Sequence, residues 1–67
     1  MSVSYKKLWE VVKLKQLSRA DLRRKIHVSE PTMSKLTKNE PVSMTVIIKL
    51  CGALHCDVGD VMEIVNE

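Results

Sequence analysis

The sequence contains few of the residues on which disulfide-rich and β-rich small proteins depend. Its 67 residues include two cysteines, two prolines, two glycines, one tryptophan, one tyrosine and no phenylalanine. Two cysteines are too few for a disulfide framework, and the scarcity of turn residues and of alternating apolar runs argues against an all-β fold. No apolar run approaches the roughly 18 residues that a membrane span needs, and none follows Lys6 and Lys7 as in a secretory signal. These absences predict a cytoplasmic protein that does not enter a membrane.

The length is enough for one domain, over residues 1–67, with a small core. A chain of this size buries only about 60% of the surface that its unfolded form exposes. The composition, 45% apolar and 28% charged, is typical of globular rather than disordered proteins. Without disulfides, stability must come from close helix packing or from association with a second chain.

Charge is distributed unevenly along the chain. Residues 1–38 hold ten basic and three acidic side chains, a balance of +7, whereas residues 39–67 hold one basic and five acidic side chains, a balance of −4. A basic half suits a polyanion such as nucleic acid. A solvated surface with a lopsided charge is the alternative that charge alone leaves open.

Capping residues and apolar periodicity predict five helices, over about residues 4–15, 18–26, 29–38, 43–54 and 57–65, and hence an all-α fold. Ser18 and Asp21 have the spacing of a capping box. Ser4, Ser29, Ser43 and Asp57 are the other expected N-caps. The fourth helix has the widest apolar stripe, which consists of Met44, Ile47, Ile48, Leu50, Cys51 and Leu54. In the fifth, the residues expected to face inward are Val58, Val61, Met62 and Val65.

About three residues separate the second and third helices, which is the length of a helix-turn-helix turn. At about 100° per residue, Met33 and Leu36 point to one side of the third helix. The opposite side carries Pro31, Ser34, Lys35 and Lys38. An apolar pair backed by short polar and basic side chains suits a helix that lies in the DNA major groove, although an ordinary surface helix shows the same period.

The chain resembles the Cro/repressor-type, or XRE-type, helix-turn-helix family from about Leu8 to Met62. The resemblance depends on the order and spacing of several segments, namely residues 17–22 (LSRADL), 28–29 (VS), 32–36 (TMSKL), 41–44 (PVSM), 47–54 (IIKLCGAL) and 58–62 (VGDVM). It implies a five-helix, lambda repressor-like bundle that binds duplex DNA, usually as a homodimer on a dyad operator. It implies no enzymatic activity. Together with the basic half, it favours a nucleoid-associated transcriptional regulator, most simply a repressor of the phage and prophage type.

The family often has glycine where this chain has Gln16, His27, Asn39 and His55. Three of these four positions lie just past a predicted helix end, where a positive φ is wanted. Asn and His tolerate that conformation better than most residues, so we expect the fold to be kept.

The resemblance also implies which residues face DNA. The base-contacting positions match Glu30, Pro31, Ser34 and Lys35, and the phosphate-contacting positions match Arg19, Arg23, Lys38 and Asn39. A glutamate can accept a hydrogen bond from cytosine N4, but it also repels phosphates, and proline donates nothing. Glu30 and Pro31 therefore keep an alternative open, a protein-interaction module of the same fold, such as an antitoxin-like or anti-repressor partner, with weak or no DNA binding.

Other chemistry has little support in the sequence. Cys51, His55 and Cys56 cluster, but a structural zinc site needs four ligands, and His27 is the only other obvious candidate. Free cysteines are among the residues most often buried, so we expect core thiols and no metal. No nucleophile pattern, carboxylate pair or glycine-rich phosphate loop is present. We therefore expect no enzyme activity, no cofactor and no small-molecule substrate.

The C-terminal segment predicts a dimer interface formed by Met62, Ile64 and Val65. On a helix over 57–65, the inward positions leave Ile64 on another side. With Met62 or Val65 at its rim, Ile64 would form a small patch that pairs about a two-fold axis. A single exposed apolar residue, which is common on protein surfaces, is the alternative.

Overall fold

The computed structural model describes residues 1–66, and this part of the chain is mostly helical. In chain order the elements are strand β1 (Ser2–Ser4), helix α1 (Lys6–Leu14), helix α2 (Arg19–Ile26), helix α3 (Glu30–Thr37), helix α4 (Met44–Leu54), a 3₁₀ turn (Val58–Asp60) and strand β2 (Glu63–Val65). No helix in this part of the chain is long and apolar enough to cross a membrane.

One apolar core joins the four helices to the 3₁₀ turn. Each helix contributes buried side chains at helical spacing, and α4 packs against α2. The buried residues are Tyr5, Leu8, Val12, Leu22, Ile26, Met33, Leu36, Ile47, Leu50, Leu54 and Val61. Because α2 and α3 each bury only two of these residues, both helices leave most of their surface outside the core.

Two of the expected N-caps form as the sequence predicts. The Ser18 hydroxyl accepts from the Asp21 N–H, and the Asp21 carboxylate accepts from the Ser18 N–H, each at 3.0 Å, which completes the capping box of α2. The Ser43 hydroxyl accepts from the Val46 N–H at the start of α4. Ser29 occupies the N-cap of α3 but makes no such bond, since its hydroxyl pairs with Thr32 instead.

We expect Ser18→Ala to lower the free energy of unfolding by about 1 kcal/mol, because it removes an N-cap acceptor from α2. Ser29→Ala is the matched control. Its N-cap hydroxyl accepts no helical N–H, so its cost should be clearly smaller. Urea denaturation measures both. Equal costs for the two substitutions would contradict the role assigned to the capping box.

The predicted fifth helix over 57–65 is wrong. Asp57 caps only the 3₁₀ turn, and residues 63–65 form a strand that pairs antiparallel with β1, with Ser2 opposite Val65 and Ser4 opposite Glu63. The chain is therefore not all-α. Val58 and Val65, expected to face inward, are 41% and 38% exposed.

The first helix is shorter than the predicted 4–15, because Ser4 belongs to β1 and α1 begins at Lys6. The Ser4 hydroxyl still accepts from the Lys6 N–H at 3.3 Å. On α4, two members of the expected inward stripe face solvent. Met44 is 64% exposed and Ile48 is 66% exposed.

The four positions at which the family favours glycine all have positive φ. The values are 56° at Gln16, 52° at His27, 59° at Asn39 and 54° at His55. His27 and His55 are the left-handed C-cap residues of α2 and α4. At three of these positions, His27, Asn39 and His55, the chain has residues that tolerate the left-handed region, and Gln16 is the exception.

Candidate nucleic-acid interface

Helices α2 and α3 form a helix-turn-helix unit whose turn is residues 27–29. The turn begins at His27, whose left-handed backbone ends α2 while its N–H still bonds to the Arg23 carbonyl at 2.9 Å. Met33 and Leu36 of α3 are fully buried. The Trp9 indole Nε1 donates to the Leu36 carbonyl at 3.3 Å and ties α3 to α1. The inner face of α3 is thus fixed, and its outer face is left to solvent.

The outer face of α3 carries the side chains that the sequence placed there. Pro31, Lys35 and Lys38 are exposed, Ser34 is half-buried, and Glu30 lies exposed at the first position of the helix. Since α3 projects these side chains on the side away from Met33 and Leu36, the surface is mostly polar and becomes basic toward its C-terminal end, at Lys35 and Lys38. Those are the properties of a helix that fits a major groove.

Glu30, expected to contact a base, is paired with two arginines that were expected to contact phosphates. Its Oε1 lies 2.6 Å from an Arg19 guanidinium nitrogen, and its Oε2 lies 3.6 Å from Arg23 Nη1. Arg23 Nε also donates to the Val28 carbonyl at 3.2 Å, which fixes this side chain across the turn. All three side chains are about half exposed. We call these three residues the Arg-Glu-Arg cluster.

A third ion pair lies on the other side of α2, between Arg24 and Asp21. Hydrogen bonds from the main chain and side chain of Ser18, with the positive charge of Arg24, lower the pKa of the Asp21 carboxyl. Because the folded-state pKa is lowered, the stabilisation from Asp21 is present above its ordinary pKa and is lost as the pH falls through the folded value.

The C-terminal end of α3 is attached to the start of α1. Asn39 Oδ1 accepts from the Tyr5 N–H at 2.9 Å, and the buried Tyr5 hydroxyl donates to the Glu40 carbonyl at 2.8 Å. The side-chain oxygen of Asn39 is therefore used inside the protein, and only its amide nitrogen remains as a donor for a phosphate. Lys38 is exposed beside it.

Lys13 is a further basic residue near this surface that the sequence reasoning did not single out. It lines a shallow depression of about 430 Å³ together with Arg19 and Thr37, over an apolar floor of Trp9, Val12 and Leu17. The position places a cation of α1 near the start of α2 and the end of α3. In the sequence, Lys13 contributed only to the net positive charge of residues 1–38, because no spacing rule predicts that a residue of α1 lies close to α2.

The comparison with protein families decides which helix-turn-helix class this is. The family model for the Cro/C1-type HTH DNA-binding domain matches residues 7–67. The chain belongs to this family. The resemblance found in the sequence is thereby confirmed, and because the family is one of DNA-binding domains it also supports the expectation of a protein that is not an enzyme.

This Cro/C1-type domain is also similar to a solved structure. A crystal structure of the transcriptional regulator VanUg superimposes with a TM-score of 0.94 and is 42% identical in sequence, with 98% of this chain and 88% of that chain covered. No curated protein sequence gives a significant match. Family and neighbour together class the chain with DNA-binding regulators.

Of the expected dimer residues of this Cro/C1-type domain, Ile64 and Val65 lie on strand β2 rather than on a helix, and Met62 lies just before that strand. Ile64 is 58% exposed and, with Met1 and Met44, lines an apolar depression of about 320 Å³. Met62 is half-buried against the core and also lines this depression. Val65 is not among the residues that line the depression. The structure therefore brings Ile64 together with two exposed methionines that sequence periodicity had not connected to it.

The two cysteines of the domain are half-buried and free. Burial raises the pKa of the Cys56 thiol, and the nearby Cys51 raises it further. In residues 1–66, no three His, Cys, Asp or Glu side chains come together as a metal site would require. Cys51 and Cys56 pack against the core.

Proposed function

We propose that the chain is a sequence-specific, duplex-DNA-binding transcriptional regulator that places α3 in the major groove. The observation that carries the proposal is the match to the transcriptional regulator VanUg, at 42% identity over 98% of this chain. At that identity over nearly the whole chain, the shared helix-turn-helix unit supports a shared mode of action.

The surface chemistry of α3 supports the same function. Ser34 and Lys35 lie on the middle of its outer face, where side chains of a recognition helix approach base edges. Lys38 and the amide nitrogen of Asn39 lie at its end, Arg19 lies at the start of α2, and Lys13 is near both. These are cations and donors suited to the two phosphate backbones that border a groove.

Glu30 was the main reason to consider a protein-interaction module instead. Since both of its carboxylate oxygens face guanidinium groups, the Arg-Glu-Arg cluster has a net charge of +1. The start of α3 is therefore not an acidic surface, which removes the main reason to prefer a protein partner over DNA at this helix.

We further infer that the working species is a homodimer on a dyad operator, and that it represses by occupying that site. One α3 helix contacts too few bases for a useful specificity ratio, and dimers of such domains contact two half-sites about 34–36 Å apart. The apolar depression around Met1, Met44 and Ile64 supplies the surface that a second copy would cover. Such a regulator would act at the nucleoid, in the cytoplasm.

Selection from a library of random duplexes with the purified chain tests the proposal. We expect enrichment of a short sequence with two related halves arranged about a dyad. If no sequence is enriched above the starting library at low salt, DNA binding is contradicted. If the enriched sequence contains a single half-site without its repeat, the homodimer is contradicted but DNA binding is not.

Replacing Lys35 by Ala should weaken binding to the selected duplex by about 1–3 kcal/mol and relax the preference at one position, because lysine in the major groove donates to guanine O6 or N7. Fluorescence anisotropy on the selected and on a scrambled duplex measures both effects. An equal loss on both duplexes would make Lys35 a phosphate contact and would contradict a base-contacting role.

A further inference from the structure

The Arg-Glu-Arg cluster has a geometry that a simple pair of phosphate-binding arginines would not need. Arg19 and Arg23 lie one turn apart on α2, so both point at the first residue of α3. Each of the two Glu30 oxygens faces a different arginine, at 2.6 and 3.6 Å. Arg23 is held at a second point by its bond to the Val28 carbonyl. Contacts with arginines on two sides thus hold the Glu30 carboxylate in place before any ligand binds.

The Glu30 carboxylate can still accept further hydrogen bonds while it is held by the two arginines. An ionised carboxylate has about four acceptor sites on its two oxygens. Arg19 uses one of them in a hydrogen bond of 2.6 Å, and Arg23 faces the other oxygen as an ion pair at 3.6 Å. Half of the Glu30 side chain is exposed, so at least one acceptor site is open to solvent at the start of the recognition helix. The arginines also offset the charge that would otherwise repel the nearby phosphates.

We infer that Glu30 selects cytosine in the operator and that Arg19 and Arg23 are positioning residues that hold its carboxylate for this contact. The inference depends on the proposed function. Cytosine presents the N4 amino group in the major groove, and acidic side chains accept from it. Thymine places the O4 acceptor there, and adenine places the N7 acceptor next to its amino group, so both present a lone pair to the carboxylate. We expect cytosine to be favoured about tenfold at this position.

The opposite role for the cluster makes a different prediction. If Glu30 merely occupied the place of a phosphate between Arg19 and Arg23, it would compete with DNA of every sequence. Removing its charge would then strengthen binding to all duplexes alike and would change no base preference.

The experiment compares duplex selections by the wild type and three variants. Glu30→Gln should move the preference at one position from cytosine to adenine, because the Gln amide pairs with adenine N6 and N7. Arg23→Ala should reduce the cytosine preference from about tenfold to about twofold without a gain for adenine. Arg24→Ala is the matched control. It removes the same charge from the same helix and breaks an ion pair with Asp21 only, so it should keep the cytosine preference.

Each outcome decides the inference. Since the paired side chains are half exposed, we expect all variants to fold, which circular dichroism checks. Should Arg23→Ala unfold, Glu30→Gln alone still discriminates between the two roles. A uniform gain in affinity for Glu30→Gln, or a cytosine preference that Arg23→Ala leaves intact, overturns the positioning role while DNA binding stands. No enrichment by the wild type overturns the proposed function itself.

Discussion

Raising the salt concentration from 50 to 200 mM should weaken duplex binding by about 500-fold per bound chain. The expectation follows from the +7 balance of residues 1–38 and from about five phosphates neutralised by exposed cations, which gives a slope of log K against log[salt] of about −4.5. Lys13, Lys35 and Lys38 are exposed and take part in none of the ion pairs found in residues 1–66. Fluorescence anisotropy at four salt concentrations measures the slope.

Two lysine variants control this measurement. Lys38→Ala should reduce the magnitude of the slope by about 0.9, as the loss of one phosphate contact requires. Lys49→Ala, which removes the one basic side chain of the acidic half, should leave the slope unchanged. A wild-type slope near zero would contradict an interface with the phosphate backbone.

The second large effect is expected from Ile64→Asp. Burying an unpaired carboxylate is unfavourable, so an aspartate in the apolar depression should prevent a second copy of the chain from covering it. The variant should sediment as a monomer and should lose about 100-fold in affinity for a duplex with two half-sites, because linked binding of two modules adds at least that factor. Affinity for a single half-site should change little.

Leu14→Asp is the control for this variant. Leu14 is 83% exposed on α1 and lies outside the depression around Ile64, so its replacement makes the same change of polarity and charge elsewhere. It should leave the dimer intact. The interface would be contradicted if the wild type sediments as a monomer at tens of micromolar, both free and on a half-site duplex.

The central helices could be predicted because their signals are local. The capping serines Ser18 and Ser43 bond to N–H groups three residues away, and the buried pairs of α2 and α3 repeat within one turn. Such signals are contained in a few adjacent residues. The left-handed positions followed from the resemblance, since a family pattern records where a turn needs a positive φ.

The C-terminal segment could not be predicted in the same way. The spacing of Val58, Val61, Met62 and Val65 fits a helical period, but a strand of three residues has too few positions to show a period of its own. Its partner β1 is about 60 residues away in the sequence, and no local pattern reports such a pairing. Tertiary pairing therefore outweighed the helical period, as it often does in short segments.

The Arg-Glu-Arg cluster is the part of the candidate site that could not be predicted from the sequence. Arg19 and Arg23 have the i, i+4 spacing of one helix face, so their shared direction was present in the sequence. Their partner Glu30 is on the next helix, and the contact exists only because the turn over 27–29 sets α3 across α2. Residue types predicted three separate DNA contacts, whereas the fold joins those residues into one unit.

The account depends most on α3 lying in the major groove, and protection of the selected duplex from dimethyl sulfate tests this directly. The reagent methylates guanine at N7, which lies in the major groove, and adenine at N3, which lies in the minor groove. At saturating protein we predict protection of guanine N7 within each half-site and unchanged methylation of adenine N3. Protection of adenine N3 with guanine N7 left reactive would contradict the placement of α3 in the major groove.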